Sequence, residues 1–445
     1  MWRRAPSAPV FATDSAGYLG FAPIRTLGYP IFLSLVSAKG AFILQPVLFL
    51  AALTWLAIEI DAAFGSVLPA AAVMAGAMTT PAVAIVHTTI LTESLFMSAL
   101  LGFLALVVRF TRAPSLGAAA AASALAGAAA AIRPTGLALL AVLAAMTATG
   151  WTRSAKPRWK AVAAAALPFV AIVATERVAA RAIHGAEATT LAGRHLFAKA
   201  ALLDADGERS FDDPLRARLQ RRLDADYAPI RRFLETTPAD VRPVLALYYE
   251  SCLQGPCVPE LGVSLPWGGA RINAALRDVA LARIARAPAA FARQTAANYR
   301  SLWSGEKLRH PATAAALNAF FASPRRLPFE REAFALNPGD PQRFDADETV
   351  RFVQPLMIAM GWVTGVFAIA GLAAAARRRP LPTPAAIACL ASLTVHACLL
   401  LSALSAPGLG RFIVGVWPAA TTAAVACAWT AGGYFTWNSS VTPET

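Results

Sequence analysis

Residues 41–60 read AFILQPVLFLAALTWLAIEI, a stretch of 20 residues in which Glu59 carries the only charge. About 20 apolar residues in a helix are enough to cross the hydrocarbon core of a bilayer. Similar apolar windows recur along the chain and are separated by short polar or basic connections. We therefore predict nine membrane-spanning helices, near residues 40–60, 66–80, 91–108, 115–132, 134–150, 161–180, 353–375, 382–404 and 411–433.

The composition of the whole chain supports a membrane protein. Of its 445 residues 57% are hydrophobic, and the mean hydropathy is +0.52. In soluble domains apolar residues, Gly included, make up only about 45–50%. The alanine-rich run at 117–131 does not alternate between apolar and polar residues, so it indicates helices rather than the strands of a membrane barrel. The predicted fold class is an all-α polytopic membrane protein.

Three short basic connections orient the chain: Arg109 to Arg112, Arg153 to Lys160, and Arg377 to Arg379. Cytoplasmic loops are enriched in Lys and Arg. All three connections fall on the cytoplasmic side if residues 1–39 and 181–352 lie outside the cytoplasm. The net charge of +14 is then explained by these loops and by a basic outer region facing anionic lipid or a phosphorylated substrate. A nucleic-acid partner is not expected.

This orientation divides the chain into four parts. They are a first outer loop at 1–39, a transmembrane bundle at 40–180, an extracytoplasmic and mainly helical domain at 181–352, and C-terminal transmembrane helices at 353–445. Within the bundle, Pro81 is expected to start a re-entrant or interfacial piece at 81–90, which must be buried in protein or line a cavity. An N-terminus outside the membrane with two arginines and no preceding span is disfavoured. We therefore expect one further helix upstream of Met1, giving ten spans.

Two segments of the outer region show helical periodicity. Apolar residues recur on one face of 212–235 and again over 271–303, where Pro288 is expected to break the helix. Cys252 and Cys257 lie between these segments. If the region is extracytoplasmic, they are candidates for a small disulfide loop, whereas their spacing is not that of a zinc site. Cys389, Cys398 and Cys427 fall inside spans and are expected to pack as apolar residues.

Two acidic residues are the candidates for catalysis. Asp14 precedes the first span, and a carboxylate placed there could act as a general base. The alternative is that Asp14 caps a helix beginning near Gly17. Glu93 lies at the outer end of a span, where placing an ionisable residue costs free energy and therefore suggests function. The alternative is that Thr92 caps a helix and that Glu93 stabilises its first turn through the helix dipole.

Three arginines are candidates for binding a phosphate at the same outer face: Arg25, Arg133 and Arg411. A guanidinium group matches phosphate oxygens with two parallel hydrogen bonds. The simpler interpretation of Arg25 is an interfacial side chain that reaches the lipid headgroups. His87 and His396 are interpreted as structural residues.

Five short motifs, taken together, resemble the C-type glycosyltransferase superfamily. Those membrane enzymes include protein O-mannosyltransferases, lipid A aminoarabinose transferases and bacterial transferases of lipopolysaccharide core. The motifs are DSAGY at 14–18, RTLGYPIFL at 25–33, TESLF at 92–96, IRPTG at 132–136 and GRF at 410–412.

The resemblance implies an enzyme of the cytoplasmic membrane that takes a sugar from a polyprenyl-phosphate carrier on the outer face. Its first outer loop would carry an acidic catalytic residue, a position that matches Asp14, and a second acidic residue in the next outer loop would match Glu93. The chain departs from the family in two respects. No span precedes the first outer loop, and Phe412 stands where the family has a tyrosine after the arginine.

On this basis the sequence predicts an inverting transferase, with a glycan, lipid or protein as acceptor. Membrane lipids are the other expected partners. A transporter or flippase of lipid-linked saccharides is the alternative, although two related halves are not visible in the sequence; a non-catalytic scaffold is a third. No cofactor is indicated. The triplets Asp204-Ala-Asp206, Asp224-Ala-Asp226 and Asp345-Ala-Asp347 leave a divalent metal open without indicating one.

Overall fold

A computed structural model of the chain is helical throughout the residues that it describes. These residues are 8–12, 14–78, 81–150, 158–203, 211–237, 242, 246, 250, 269–304, 347–405 and 410–439. They contain one isolated backbone bridge, between Val10 and Thr89, and no strand. The predicted all-α class is therefore confirmed.

Six of the nine predicted spans fall on helices that could cross a membrane, and the other three fall on shorter apolar helices, so the count of nine stays a prediction. The nine helices are α2 (Gly28–Phe64), α3 (Val67–Met78), α5 (Thr92–Arg112), α6 (Leu116–Ile132), α7 (Leu139–Gly150), α8 (Arg158–His184), α13 (Asp347–Ala376), α14 (Thr383–Ser405) and α15 (Gly410–Ser439). The shorter helices are α3, α6 and α7, with the turn Pro134–Ala138 leading into α7.

The first long helix begins earlier than predicted. Helix α2 starts at Gly28, not near residue 40, but Ser37 interrupts it with a non-helical backbone (φ 62°, ψ 170°). The residues before Ser37 therefore form a separate short helix, and the uninterrupted apolar helix begins where the first span was predicted. The C-terminus of the long part is closed by Gly65, whose φ of 64° suits a residue without a side chain.

Helix α5 is the centre of the bundle. Most of its residues, 16 of 21, are buried, and it packs against α2, α6, α14 and α15. Helices α8 and α13, in contrast, expose rows of large apolar side chains such as Val170 and Val366. An apolar helix that is exposed along most of its length is expected to face lipid.

The segment begun by Pro81 forms the short helix α4 (Pro81–Thr88). It lies inside the protein, since Val83, Val86 and His87 are all buried. This burial agrees with the requirement that a short, non-spanning piece be enclosed by protein.

The region between α8 and α13 has a helical core of its own. It contains α9 (Ala192–Ala201), α10 (Pro214–Thr236), α11 (Ala270–Arg286) and α12 (Pro288–Ser304). The predicted apolar face of α10 is buried against α9 and α11, through Leu219, Leu223, Tyr227 and Ile230. The chain breaks between α11 and α12 at Pro288, as predicted. However, α12 does not continue the same face, since Leu302 and Trp303 pack against the apolar helix bundle.

Candidate functional site

The residues before α2 fold back on themselves and bring Asp14 next to Arg25. Asp14 precedes the short helix α1 (Ser15–Leu19), but its side chain makes no capping hydrogen bond. The backbone reverses at Phe21, whose φ is 48°, and the N–H of Ala22 donates to the carbonyl of Gly17. Because of this reversal, Asp14 and Arg25 lie close together although they are eleven residues apart in the sequence.

The carboxylate of Asp14 and the guanidinium of Arg25 form an ion pair of 2.7 Å. Arg25 also donates a 3.3 Å hydrogen bond from its other terminal nitrogen to the Tyr18 hydroxyl, and its guanidinium lies 4.7 Å from the centre of the Tyr18 ring. A Cβ atom added at Gly17 would meet Arg25 Nε at 3.1 Å. The absence of a side chain at Gly17 therefore gives Arg25 the room to lie beside α1.

A second ion pair joins Glu93, in the first turn of α5, to Arg133, which ends α6. The distance is 2.8 Å, and only 3% of the Glu93 side chain is exposed. The Arg133 guanidinium lies 5.0 Å from the ring centre of Phe412 and 6.0 Å from that of Phe96. Thr92 donates a further hydrogen bond to Glu93. The pair is thus enclosed by α5, α6 and the start of α15.

Tyr18 lies between the two ion pairs. Burial raises the pKa of the Tyr18 hydroxyl above its usual 10.0. The positive charge of Arg25 opposes this shift, and the negative charges of Glu93 and Asp14 add to it. The nearby Thr92 side chain also opposes the shift. Tyr18 therefore provides a neutral hydroxyl that senses all three charges, rather than a base.

Hydrogen bonds fix both ends of the segment around Asp14, residues 10–27, to the bundle; we call it the Asp14 segment. Val10 pairs through its backbone with Thr88, the last residue of α4, and with Ile90 just after it. The Ser15 hydroxyl donates to the carbonyl of Ile90 at 2.8 Å, within the buried part of the site. The start of the Asp14 segment therefore lies beside residues 88–90, which come just before Glu93 in the sequence.

The far end of the segment is held by α6 and α8. Thr26 donates to the carbonyl of Ile132, one residue before Arg133, and Glu176 accepts a hydrogen bond from the N–H of Leu27 at 3.1 Å. A Cβ atom at Gly28 would lie 2.7 Å from the carbonyl oxygen of Ala131. A glycine at that position lets α2 begin directly against the end of α6.

The structure thus brings together four of the five predicted site residues. Asp14 and Glu93 lie at one end of the bundle, each with an arginine partner, Arg25 and Arg133. Arg411 belongs to the first turn of α15, and its side chain lies outside the described residues, although its neighbour Phe412 contacts Arg133. Cys252 and Cys257 also lie outside the described residues, so the disulfide stays a prediction.

The remaining candidates have structural partners. His87 Nδ1 lies 2.7 Å from the Ser94 hydroxyl, and His396 hydrogen bonds to Tyr299 and Thr364. The three cysteines predicted to pack inside spans are buried thiols. Of the Asp-x-Asp triplets, Asp224 is described and accepts a hydrogen bond from Arg283. In the described part of the chain, no three His, Cys, Asp or Glu side chains are grouped as metal ligands.

A buried ion pair outside the candidate site was not predicted from the sequence. Lys199 of α9 and Glu250 are 2.9 Å apart, and their side chains are 0% and 1% exposed. Asn298 of α12 donates to the same carboxylate at 2.9 Å. Because Glu250 and Lys199 are 51 positions apart in the sequence, no local pattern could have paired them.

Searches for related proteins returned no match among protein-family models, curated proteins or solved structures. The two carboxylate–arginine pairs around Tyr18, at one end of an apolar helix bundle, therefore define the candidate site on their own geometry.

Proposed function

We propose that this protein is a glycosyltransferase of the cytoplasmic membrane. It would transfer a sugar from a polyprenyl-phosphate donor to a glycan, lipid or protein acceptor on the outer face. The observation that carries the proposal is the joint placement of Asp14, Arg25, Glu93 and Arg133 around Tyr18. An apolar bundle can hold the lipid chain of the donor, and the arginines can bind its phosphate. The partly exposed carboxylate of Asp14 can accept the proton of the acceptor.

The proposed reaction is a single displacement at the anomeric carbon. An acceptor oxygen or nitrogen attacks this carbon while Asp14 accepts its proton. The bond between the anomeric carbon and the phosphate oxygen breaks, and both of its electrons leave with the polyprenyl phosphate. An arginine beside the phosphate stabilises the charge that develops there. Attack opposite the leaving group inverts the anomeric configuration.

The test is transfer by the full-length protein in proteoliposomes. A panel of polyprenyl-phosphate hexoses and pentoses would be offered together with a cell-envelope extract that supplies acceptors. Mass spectrometry would follow both the loss of the donor and the appearance of free polyprenyl phosphate. Replacing Asp14 with Asn should lower the rate about 10²- to 10⁴-fold, the usual contribution of a general base, with unchanged expression and melting temperature.

Asp61→Asn is the matched control, because Asp61 lies near the other end of α2 and should have no effect on transfer. Full activity of Asp14→Asn would exclude the base assignment. Wild-type protein that consumes no donor from the panel would count against the proposed function itself. Movement of the intact donor across the bilayer, without sugar transfer, would favour the flippase alternative.

A further inference from the structure

The two ion pairs of the site differ in how open they are. In the first pair, 22% of the Asp14 side chain and 13% of the Arg25 side chain are exposed. In the second pair, Glu93 is only 3% exposed, and aromatic rings lie beside Arg133. The two guanidinium groups are almost equally exposed, at 13% for Arg25 and 12% for Arg133, so the pairs differ in their carboxylates: Asp14 is open to an incoming group and Glu93 is enclosed.

Arg25 has hydrogen-bonding capacity that its described contacts do not use. A guanidinium group has five N–H donors. One terminal nitrogen of Arg25 contacts Asp14 and the other donates to Tyr18, whereas Nε is buried with no hydrogen-bond partner. The ring of Tyr18 supports one side of the group. Arg25 is thus held in place by Tyr18 and keeps one buried N–H donor without a hydrogen-bond partner, as Arg133 does at a terminal nitrogen; what distinguishes Arg25 is that its carboxylate partner Asp14 is partly exposed.

The same pair poses a problem for the proposed reaction. A carboxylate that is ion-paired with an arginine is stabilised in its charged form and is a weaker base for that reason. Asp14 can accept the acceptor's proton most effectively if Arg25 has moved to another partner. Phosphate oxygens are such a partner, since they match the guanidinium fork.

Resting on the function proposed above, we propose that the phosphate of the lipid-linked ligand displaces Asp14 from Arg25, so that Asp14 becomes available as a base only when the ligand is bound. Asp14 and the phosphate compete for one guanidinium group. The pair Glu93–Arg133 stays closed during this exchange. It acts as a positioning pair that holds the ends of α5 and α6, beside Tyr18 and the start of α15.

This competition makes a prediction that a simple binding site does not make. Removing the charge of Asp14 should strengthen the binding of polyprenyl phosphate, because the ligand no longer has to break an ion pair. Partly exposed pairs contribute up to about 1 kcal/mol, so we expect a gain of about three- to fivefold in affinity. Arg25→Gln should weaken binding about tenfold or more, since hydrogen bonds to charged groups are the stronger ones.

The experiment measures the affinity of the full-length protein in nanodiscs for a short-chain polyprenyl phosphate. The corresponding prenol, phosphatidylglycerol and inorganic phosphate are measured in parallel, to separate the carrier from a membrane phospholipid and from free phosphate. Variants are Asp14→Asn, Arg25→Gln and Glu93→Gln. Glu59→Gln is the control, because it removes a carboxylate from the Glu59–Arg112 pair near the other end of α2. Melting temperatures verify that each variant is folded.

The expected result is tighter binding of polyprenyl phosphate by Asp14→Asn alone, with Glu59→Gln unchanged. Weaker or unchanged binding by Asp14→Asn would overturn the exchange, even if the wild-type protein binds the carrier and transfers sugar. An equal gain in Glu93→Gln would overturn the division of roles between the two pairs. Equal affinity for the prenol and its phosphate in the wild-type protein would instead contradict the proposed function. A gain seen only with phosphatidylglycerol or inorganic phosphate would overturn the assignment of the ligand to the carrier.

Discussion

The backbone N–H of Thr189 donates a 3.0 Å hydrogen bond to the carbonyl oxygen of Pro23. Pro23 lies between Asp14 and Arg25 in the sequence, two residues before Arg25, whereas Thr189 lies between α8 and the helical region that follows it. This bond connects the candidate site to that region. The position of the Asp14 segment therefore depends on a residue 166 positions away from Pro23 in the sequence.

Asn273 of α11 holds this connection, and its replacement should loosen the site. Its amide donates to the Thr189 hydroxyl at 3.0 Å and accepts from the N–H of Arg194. Asn273→Ala loses both bonds, so we expect a fall of about 1–3 kcal/mol in the free energy of unfolding. Hydrogen exchange of residues 14–27 should also become faster.

The control for this prediction is Arg277→Ala, one turn further along the same helix, whose side chain is 51% exposed. It should change the stability by less than about 0.5 kcal/mol and leave the exchange of residues 14–27 as it is. Equal exchange in the two variants would show that Asn273 does not support the site.

Gly193 is expected to tolerate no side chain. A Cβ atom there would lie 2.0 Å from the backbone oxygen of Asn273, so α9 and α11 would have to separate. Gly193→Ala should therefore lower the melting temperature strongly, by the several degrees that a loss of about 1–3 kcal/mol in an overpacked core produces. Gly117→Ala in α6 is the matched control, since nothing lies within 4 Å of its added Cβ. Similar melting curves for the two variants would contradict the close approach of α9 and α11.

The sequence predicted the helices well because apolar periodicity records burial directly. The buried positions of α10 and the break at Pro288 both follow from local pattern. The sequence did not predict that Trp303 of α12 packs against the bundle, because a periodic apolar face shows that a helix is buried but not which element covers it. The same limit applies to Lys199, whose partner Glu250 is remote in the chain.

For the site, the sequence predicted which end of the bundle carries the charged residues, but not how they pair. Phosphate binding by Arg25 and Arg133 stays a prediction, and the structure adds that each arginine has a carboxylate partner, Asp14 for Arg25 and Glu93 for Arg133. Placing residues on one side of a membrane does not determine which side chains touch. The reversal at Phe21 decides that Arg25 meets Asp14, and a positive φ at a phenylalanine has no clear sequence signal.

The buried pair of Lys199 and Glu250 predicts a stability that depends on alkaline pH. Burial lowers the pKa of the Lys199 amine from its usual 10.5, although Glu250 opposes the shift. Between the lowered pKa and 10.5 the unfolded chain binds more protons than the folded chain, so the contribution of Lys199 to stability increases as pH rises through this window. Below the window, the cost of burying the charged amine is fully present.

The reference for this measurement is the double variant Lys199→Met/Glu250→Gln, which carries no charge at either position. The melting temperature of the wild-type protein, relative to this variant, should rise as the pH is raised towards 10.5. The single variant Lys199→Met leaves a buried carboxylate without its cation and should lose about 3–5 kcal/mol. A difference between wild type and double variant that stays constant with pH would contradict the lowered pKa.

Tyr18→Phe tests whether the hydroxyl between the two ion pairs contributes to the proposed transfer. The variant keeps the ring beneath Arg25 but removes the acceptor for its hydrogen bond. Arg25 should then be held less well, and we expect the rate of transfer to fall about tenfold, the effect of roughly 1.4 kcal/mol. Because the raised pKa keeps this hydroxyl protonated at neutral pH, the pH–rate profile should keep its shape.

Tyr299→Phe, which loses a hydroxyl contact with His396 outside the site, should lower the melting temperature without changing the rate. A change in the shape of the profile in Tyr18→Phe would indicate that Tyr18 exchanges a proton during transfer, and wild-type rates would mean that its hydroxyl has no role there.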